Sequence, residues 1–122
     1  MSLSFSFLEV AKMKKRESEF QAVLIRELQK RFPGCLVMKN DANYIQGIPD
    51  LTVLYRDKWA MLECKKSEKD MKKSLDRNPN QDYYVKRFND MSYASFIFPE
   101  NKEEVLNELE QSFEICRPTR NT

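Results

Sequence analysis

Two acids and a lysine stand close together in the stretch GIPDLTVLYRDKWAMLECKK, Gly47 to Lys66: Asp50, Glu63 and Lys65. If Leu51–Tyr55 and Trp59–Lys65 pair as a hairpin around Arg56-Asp57, opposed residue numbers sum to 113. Asp50 then faces Glu63, Thr52 faces Met61 and Leu54 faces Trp59. Strand alternation puts Glu63 and Lys65 on one face and turns Cys64 away from them. Two carboxylates at adjacent strand positions repel each other unless a cation or a proton sits between them. A hard divalent ion, Mg²⁺ or Mn²⁺, accepts such oxygens and keeps positions open for water and a phosphate. A lysine alongside can orient the attacking water and steady charge on the phosphoryl group. The chemistry such a trio suits is phosphodiester hydrolysis. A surface salt bridge is the other reading of the same residues, since Glu100-Asn101-Lys102 repeats the E-x-K spacing where an acidic helix opens.

Composition restricts the alternatives. Among 122 residues there is no histidine, which removes the Ser-His-Asp triad, the Cys-His pair and the histidine zinc site. Gly34 and Gly47 are the only glycines, too few for a P-loop or a dinucleotide fingerprint. Cys35, Cys64 and Cys116 are odd in number and widely spaced, as expected of reduced thiols in a cytoplasmic protein. MSLSFSFLEV has no basic lead and carries a glutamate, so no secretory signal is expected, and no apolar run is long enough to span a membrane. The net charge of +2 is small, but its distribution is uneven. Lys12, Lys14, Lys15 and Arg16 form a basic run, lysines dominate between Lys65 and Arg77, and glutamates dominate after Glu100. A cationic face for a polyanion, with an acidic face turned away, would have this pattern.

These residues need elements to position them. Residues 1–12 read as a loosely held arm, 13–116 as one domain and 117–122 as a tail. Phe20, Val23, Leu24 and Leu28 gather on one side of a helix from about Met13 to Arg31, ended by Pro33-Gly34. Cys35–Lys39, Leu51–Tyr55, Trp59–Lys65 and Tyr93–Phe98 read as strands. KSEKDMKKSLDRN reads as a charged loop. Asn78 then caps a helix with Pro79 just inside it, and a last helix covers about Lys102 to Ile115. The expected architecture is α/β, in the order αβββαβα, with a mixed sheet flanked by helices.

P-D-(x12)-E-C-K, at Pro49-Asp50 and Glu63-Cys64-Lys65, resembles the signature of the PD-(D/E)xK nuclease superfamily. With E-x-E-F-Q at Glu17–Gln21, G-I-P-D-L at Gly47–Leu51 and a Gln-led helix at Gln81–Tyr84, the chain is similar to the compact VRR-Nuc and Holliday-junction-resolvase-like nucleases, many of them phage-encoded. The resemblance implies a restriction-endonuclease-like core and a Mg²⁺- or Mn²⁺-dependent DNA endonuclease acting on branched or structured DNA. It further implies a possible homodimer, working in the host cytoplasm if phage-encoded. Asp50 and Glu63 would be metal ligands, Lys65 the catalytic lysine and the Cys64 backbone carbonyl a further ligand. The family also uses a helix-one glutamate. Glu17 falls on the side bearing Phe20, Gln21 and Leu24, whereas Glu19 points away, so Glu17 is the expected acid and a further metal ligand. Gln81 would support the site or touch nucleic acid, and Tyr84 and Phe88 would pack in the core. Lys39, Asn43 and the loop lysines Lys66, Lys69, Lys72 and Lys73 are candidate nucleic-acid contacts, with Asn40 and Tyr44 in the same connecting loop. The alternative function is a non-catalytic nucleic-acid-binding module on the same fold.

Overall fold

The computed structural model describes residues 6–115. Helix α1 (Phe7–Arg31) leads into strands β1 (Leu36–Lys39), β2 (Leu51–Tyr55) and β3 (Lys58–Cys64). Helices α2 (Glu68–Arg77) and α3 (Pro79–Met91) then carry the chain to β4 (Tyr93–Ile97) and α4 (Lys102–Ile115). The fold class is α/β, a four-stranded mixed sheet flanked by helices, in the order β1-β2-β3-β4. The first three strands are antiparallel neighbours. β4 lies parallel to β3, a pairing that needs a long crossover, and α2 with α3 supplies it.

The β2–β3 register is the one the sequence dictates, with Thr52 opposite Met61 and Leu54 opposite Trp59. Paired residues share a face, so Leu51, Val53, Ala60, Leu62 and Cys64 turn toward one side. There they form the core with Leu24 and Leu28 of α1 and Leu106, Leu109 and Phe113 of α4. The opposite side carries Thr52, Leu54, Trp59, Met61 and Glu63. Its β3–β4 half lies under α3, where Phe88 meets Trp59 edge to face at 6.0 Å and stacks beside Tyr84.

Three expectations need correction. The first helix begins at Phe7, so residues 7–12, expected in a loose arm, are helical. Ser6 and Glu9 form a capping box, each side chain bonded to the other's backbone N–H. An apolar stripe gives no hint of this start, because Phe7 and Leu8 are 92% and 66% exposed. Residues 68–77, expected as loop, are helical as well. Ser67 caps that helix by accepting the Asp70 N–H at 3.1 Å, and Glu68 pairs with Lys72 one turn on at 3.5 Å. The order is therefore αβββααβα. Finally, Asn78 precedes α3 as expected, with Pro79 at its start, but its side chain makes no capping bond. Residues 1–5 of the expected arm, Cys116 and the 117–122 tail lie outside the described residues.

Candidate active site

The entry to β2 is held by Asn40. Its backbone N–H donates to the Asp50 carbonyl at 2.8 Å and its amide to the Pro49 carbonyl at 2.8 Å, while its side-chain oxygen accepts from Thr52 at 2.9 Å. Asn40, expected in the loop of candidate substrate contacts, is a clamp in the fold. Extending the ladder two steps past Leu51–Leu62 puts Asp50 opposite Glu63 and Pro49 opposite Cys64. A proline has no N–H to offer the Cys64 carbonyl, so the backbone ladder stops there.

Side chains take over where the ladder stops. The Asp50 carboxylate accepts the Cys64 N–H at 2.9 Å, and the Glu63 carboxylate accepts the Asp50 N–H at 3.1 Å. The two acids thus grip each other's strand and bring their carboxyl groups into hydrogen-bond reach. Glu63 is only 1% exposed. Burial, followed by the hydrogen bond and charge of Asp50, pushes its pKa up to about 9. The protonated form of Glu63 is thereby favoured beside the Asp50 carboxylate.

Lys65 continues the strand, its N–H bonded to the Ile97 carbonyl at 2.9 Å. It shares the Glu63 face and is buried, with its ammonium donating to Gln81 Oε1 at 2.8 Å. Gln81 reaches it because α3 starts unusually close to the 41–48 loop. Gly47 lies at φ +91°, and a Cβ there would stand 2.5 Å from the Asn80 Cβ. Only glycine fits that crossing.

From α1, Glu17 is half-buried and faces this group. Burial and the Asp50 charge raise its pKa, opposed by Lys65 and Lys66. Glu19 is exposed and lines a different groove, so the helical projection separates the two acids as expected. Cys64 places its thiol in the core beside Gln21, where burial and the Asp50 and Glu63 charges push its pKa up and keep it protonated. Tyr84 and Phe88 pack against each other on α3, with Phe88 against Trp59.

The outlying residues are less collected. Lys39 is exposed at the end of β1, on the face of its partner Leu51 rather than that of Asp50. Asn43 is exposed in a turn closed by its N–H onto the Asp41 carboxylate at 2.8 Å, and Tyr44 projects into solvent. Lys69, Lys72 and Lys73 line one face of α2 with Glu68 and Asp76, so acids interrupt the basic stripe expected there.

Among the described residues, no group of three or more His, Cys, Asp or Glu side chains is drawn together to hold a metal ion. What the fold assembles is a pair of carboxyl groups, Asp50 and Glu63, with Glu17 set back on α1. Its chemistry suits a hard divalent ion, because a cation can replace the Glu63 proton and relieve the buried pair. The sequence did not single out Asn40 as a clamp or Asn80 as the neighbour of Gly47. The first follows from its place at the start of a loop that must return to β2, while the second has no local signal. No protein-family model, curated protein or solved structure matches the chain. No helix among the described residues is long and apolar enough to cross a membrane.

Proposed function

We propose that this chain is a Mg²⁺- or Mn²⁺-dependent endonuclease that hydrolyses DNA phosphodiester bonds, with branched or otherwise structured DNA as its substrate class. The observation that carries the reading is the contact between the Asp50 and Glu63 carboxyls beside a buried lysine steered by Gln81. The P-D…E-C-K motif lends it support through its resemblance to the PD-(D/E)xK superfamily.

In this reading Asp50 and Glu63, with the Cys64 carbonyl, hold the divalent ion. When bound, that ion supplies a Lewis acid for the phosphate and lowers the pKa of a coordinated water. Lys65 does the rest of the positioning. With one N–H committed to Gln81, its ammonium presents its remaining donors in a fixed direction toward the attacking oxygen or a non-bridging phosphate oxygen. Glu17, facing Asp50 and Lys65 from α1, orients water on the same side. The exposed lysines of α2 lie beyond and would follow the DNA backbone. A two-fold dimer would relate two such sites for symmetric cutting of two strands.

The test is direct. Purified protein should nick or cut branched DNA with Mg²⁺ or Mn²⁺ but not in chelator. Asp50→Ala and Lys65→Ala should each reduce the rate by at least about a thousandfold while remaining folded. Wild-type rates in both folded variants would remove the proposal.

A further inference from the structure

A second feature of α1 is left unused by the mechanism. Between α1 and the β3–α2 connection runs an open groove of about 470 Å³. Phe20, Val23 and Pro99 supply its apolar lining, and Arg16, Lys66, Ser67 and Glu19 its polar lining. Among the described residues neither Arg16 nor Lys66 forms an ion pair, although an acid lines the same groove. Val23 keeps 39% of its surface exposed, so the apolar lining is open to solvent rather than covered by the fold. Its lining includes the chain neighbours of two site residues, since Arg16 precedes Glu17 and Lys66 follows Lys65.

We propose that this groove seats one nucleotide of the strand that carries the scissile phosphate. Arg16 and Lys66 hold its phosphates, and its base lies against Phe20, Val23 and Pro99. The proposal rests on the nuclease reading and deepens it by naming where the strand runs. The chemistry selects the occupant. Two cations lining one groove with apolar side chains match the phosphate and base chemistry of a single strand. The volume falls in the lower part of the range for ligand pockets, about 300–1,000 Å³, which suits one nucleotide. With Arg16 and Lys66 against Glu19, the groove carries one net positive charge. Glu19 is therefore a brake on anion binding, and its removal should tighten the grip.

The measurement is fluorescence anisotropy of a fluorescein-labelled branched DNA with a single-stranded arm, with Ca²⁺ replacing Mg²⁺ to hold off hydrolysis. Arg16→Ala combined with Lys66→Ala should weaken binding about tenfold or more at low salt and lower the salt slope by between one and two. Val23→Asp should weaken it by a similar factor, and Glu19→Gln should strengthen it. A single abasic nucleotide walked along the arm should cost about tenfold at one position in the wild type and nothing there in Val23→Asp. Circular dichroism and Mn²⁺ calorimetry on each variant establish that fold and ion site are intact. If the wild type cleaves DNA but the double variant binds with unchanged affinity and salt slope, the groove assignment is overturned and the nuclease reading stands. If the wild type neither binds nor cleaves DNA, the nuclease reading falls and takes the groove with it.

Discussion

Glu63→Gln should make the metal-free protein more stable at alkaline pH, and the wild type should lose stability there. Glu63 is 1% exposed, and burial beside Asp50 pushes its pKa up to about 9, against 4.5 for an ordinary glutamate. Between those values the native chain carries a proton that the unfolded chain has released. Stability from this group is therefore complete below about pH 4.5 and drains away as pH rises toward 9. Converted at about 1.4 kcal/mol per pH unit, the interval from 4.5 to about 9 sets a ceiling of about 6 kcal/mol. Local relaxation and water entry reduce the cost of a buried charge, so a loss of about 2–4 kcal/mol is expected. For a chain of this size that is a fall in Tm of about 8–16 °C.

The glutamine variant isolates the effect. Its amide keeps the oxygen that accepts the Asp50 N–H and offers an N–H to the Asp50 carboxylate, as the protonated glutamic acid does. Thermal unfolding followed by circular dichroism in chelator, from pH 5 to pH 9, should show a falling wild-type Tm and a nearly flat one for Glu63→Gln. Added Mg²⁺ should restore the wild type at pH 8–9 and leave the variant unmoved, because a divalent ion does the proton's work only where two carboxylates face it. Parallel profiles for the two proteins in chelator would refute the account of a protonated Glu63.

Two further substitutions probe how the site is supported. Gly47→Ala puts a methyl 2.5 Å from the Asn80 Cβ at a φ of +91°, so it should cost about 3 kcal/mol by urea unfolding and lower the cleavage rate by shifting α3; a change under 1 kcal/mol would mean the loop yields freely. Gln81→Leu leaves the buried Lys65 ammonium without its acceptor, so about 2 kcal/mol of stability and about tenfold in kcat should be lost, whereas Gln81→Glu, which keeps an oxygen there, should retain the stability; equal behaviour of the two variants would show that the 2.8 Å bond does not matter.

What could be read from the sequence was set by short-range rules. A two-residue connection at Arg56-Asp57 between β-branched and aromatic runs fixes the hairpin register, and a slip of one would turn Leu51 and Val53 outward. Glu17 could be told from Glu19 because it lies seven residues before Leu24 and eleven before Leu28, both fully buried. Helix α2 was illegible for the opposite reason. Its apolar positions are Met71 and Leu75 alone, Leu75 stays 39% exposed and its one buried residue is Ser74, so the stripe is short and diluted by charges, and a serine cap and one-turn charge pairing support the helix. The Gly47–Asn80 crossing joins segments more than thirty residues apart, and nothing local announces it.

The position of Pro49 explains why the two acids meet at all. In a continuous antiparallel ladder the residue opposite Cys64 would donate to its carbonyl and accept its N–H, leaving Asp50 an ordinary strand residue. Proline breaks one half of that exchange, having no N–H to give. The Asn40 amide donates to its carbonyl, and the Cys64 N–H takes the Asp50 carboxylate instead, which locks that side chain against β3. The lock costs a backbone hydrogen bond and gains a charge-assisted one, so it is not a net expense of stability. It also fixes a negative charge beside the buried Glu63, which raises the cost of ionising both acids together. A proton can relieve that conflict, and so can a divalent cation, but only the cation leaves both oxygens anionic. The strain of the carboxyl pair thus originates in the ladder's termination, and replacing Pro49 with a residue that can donate would loosen it before either acid was touched.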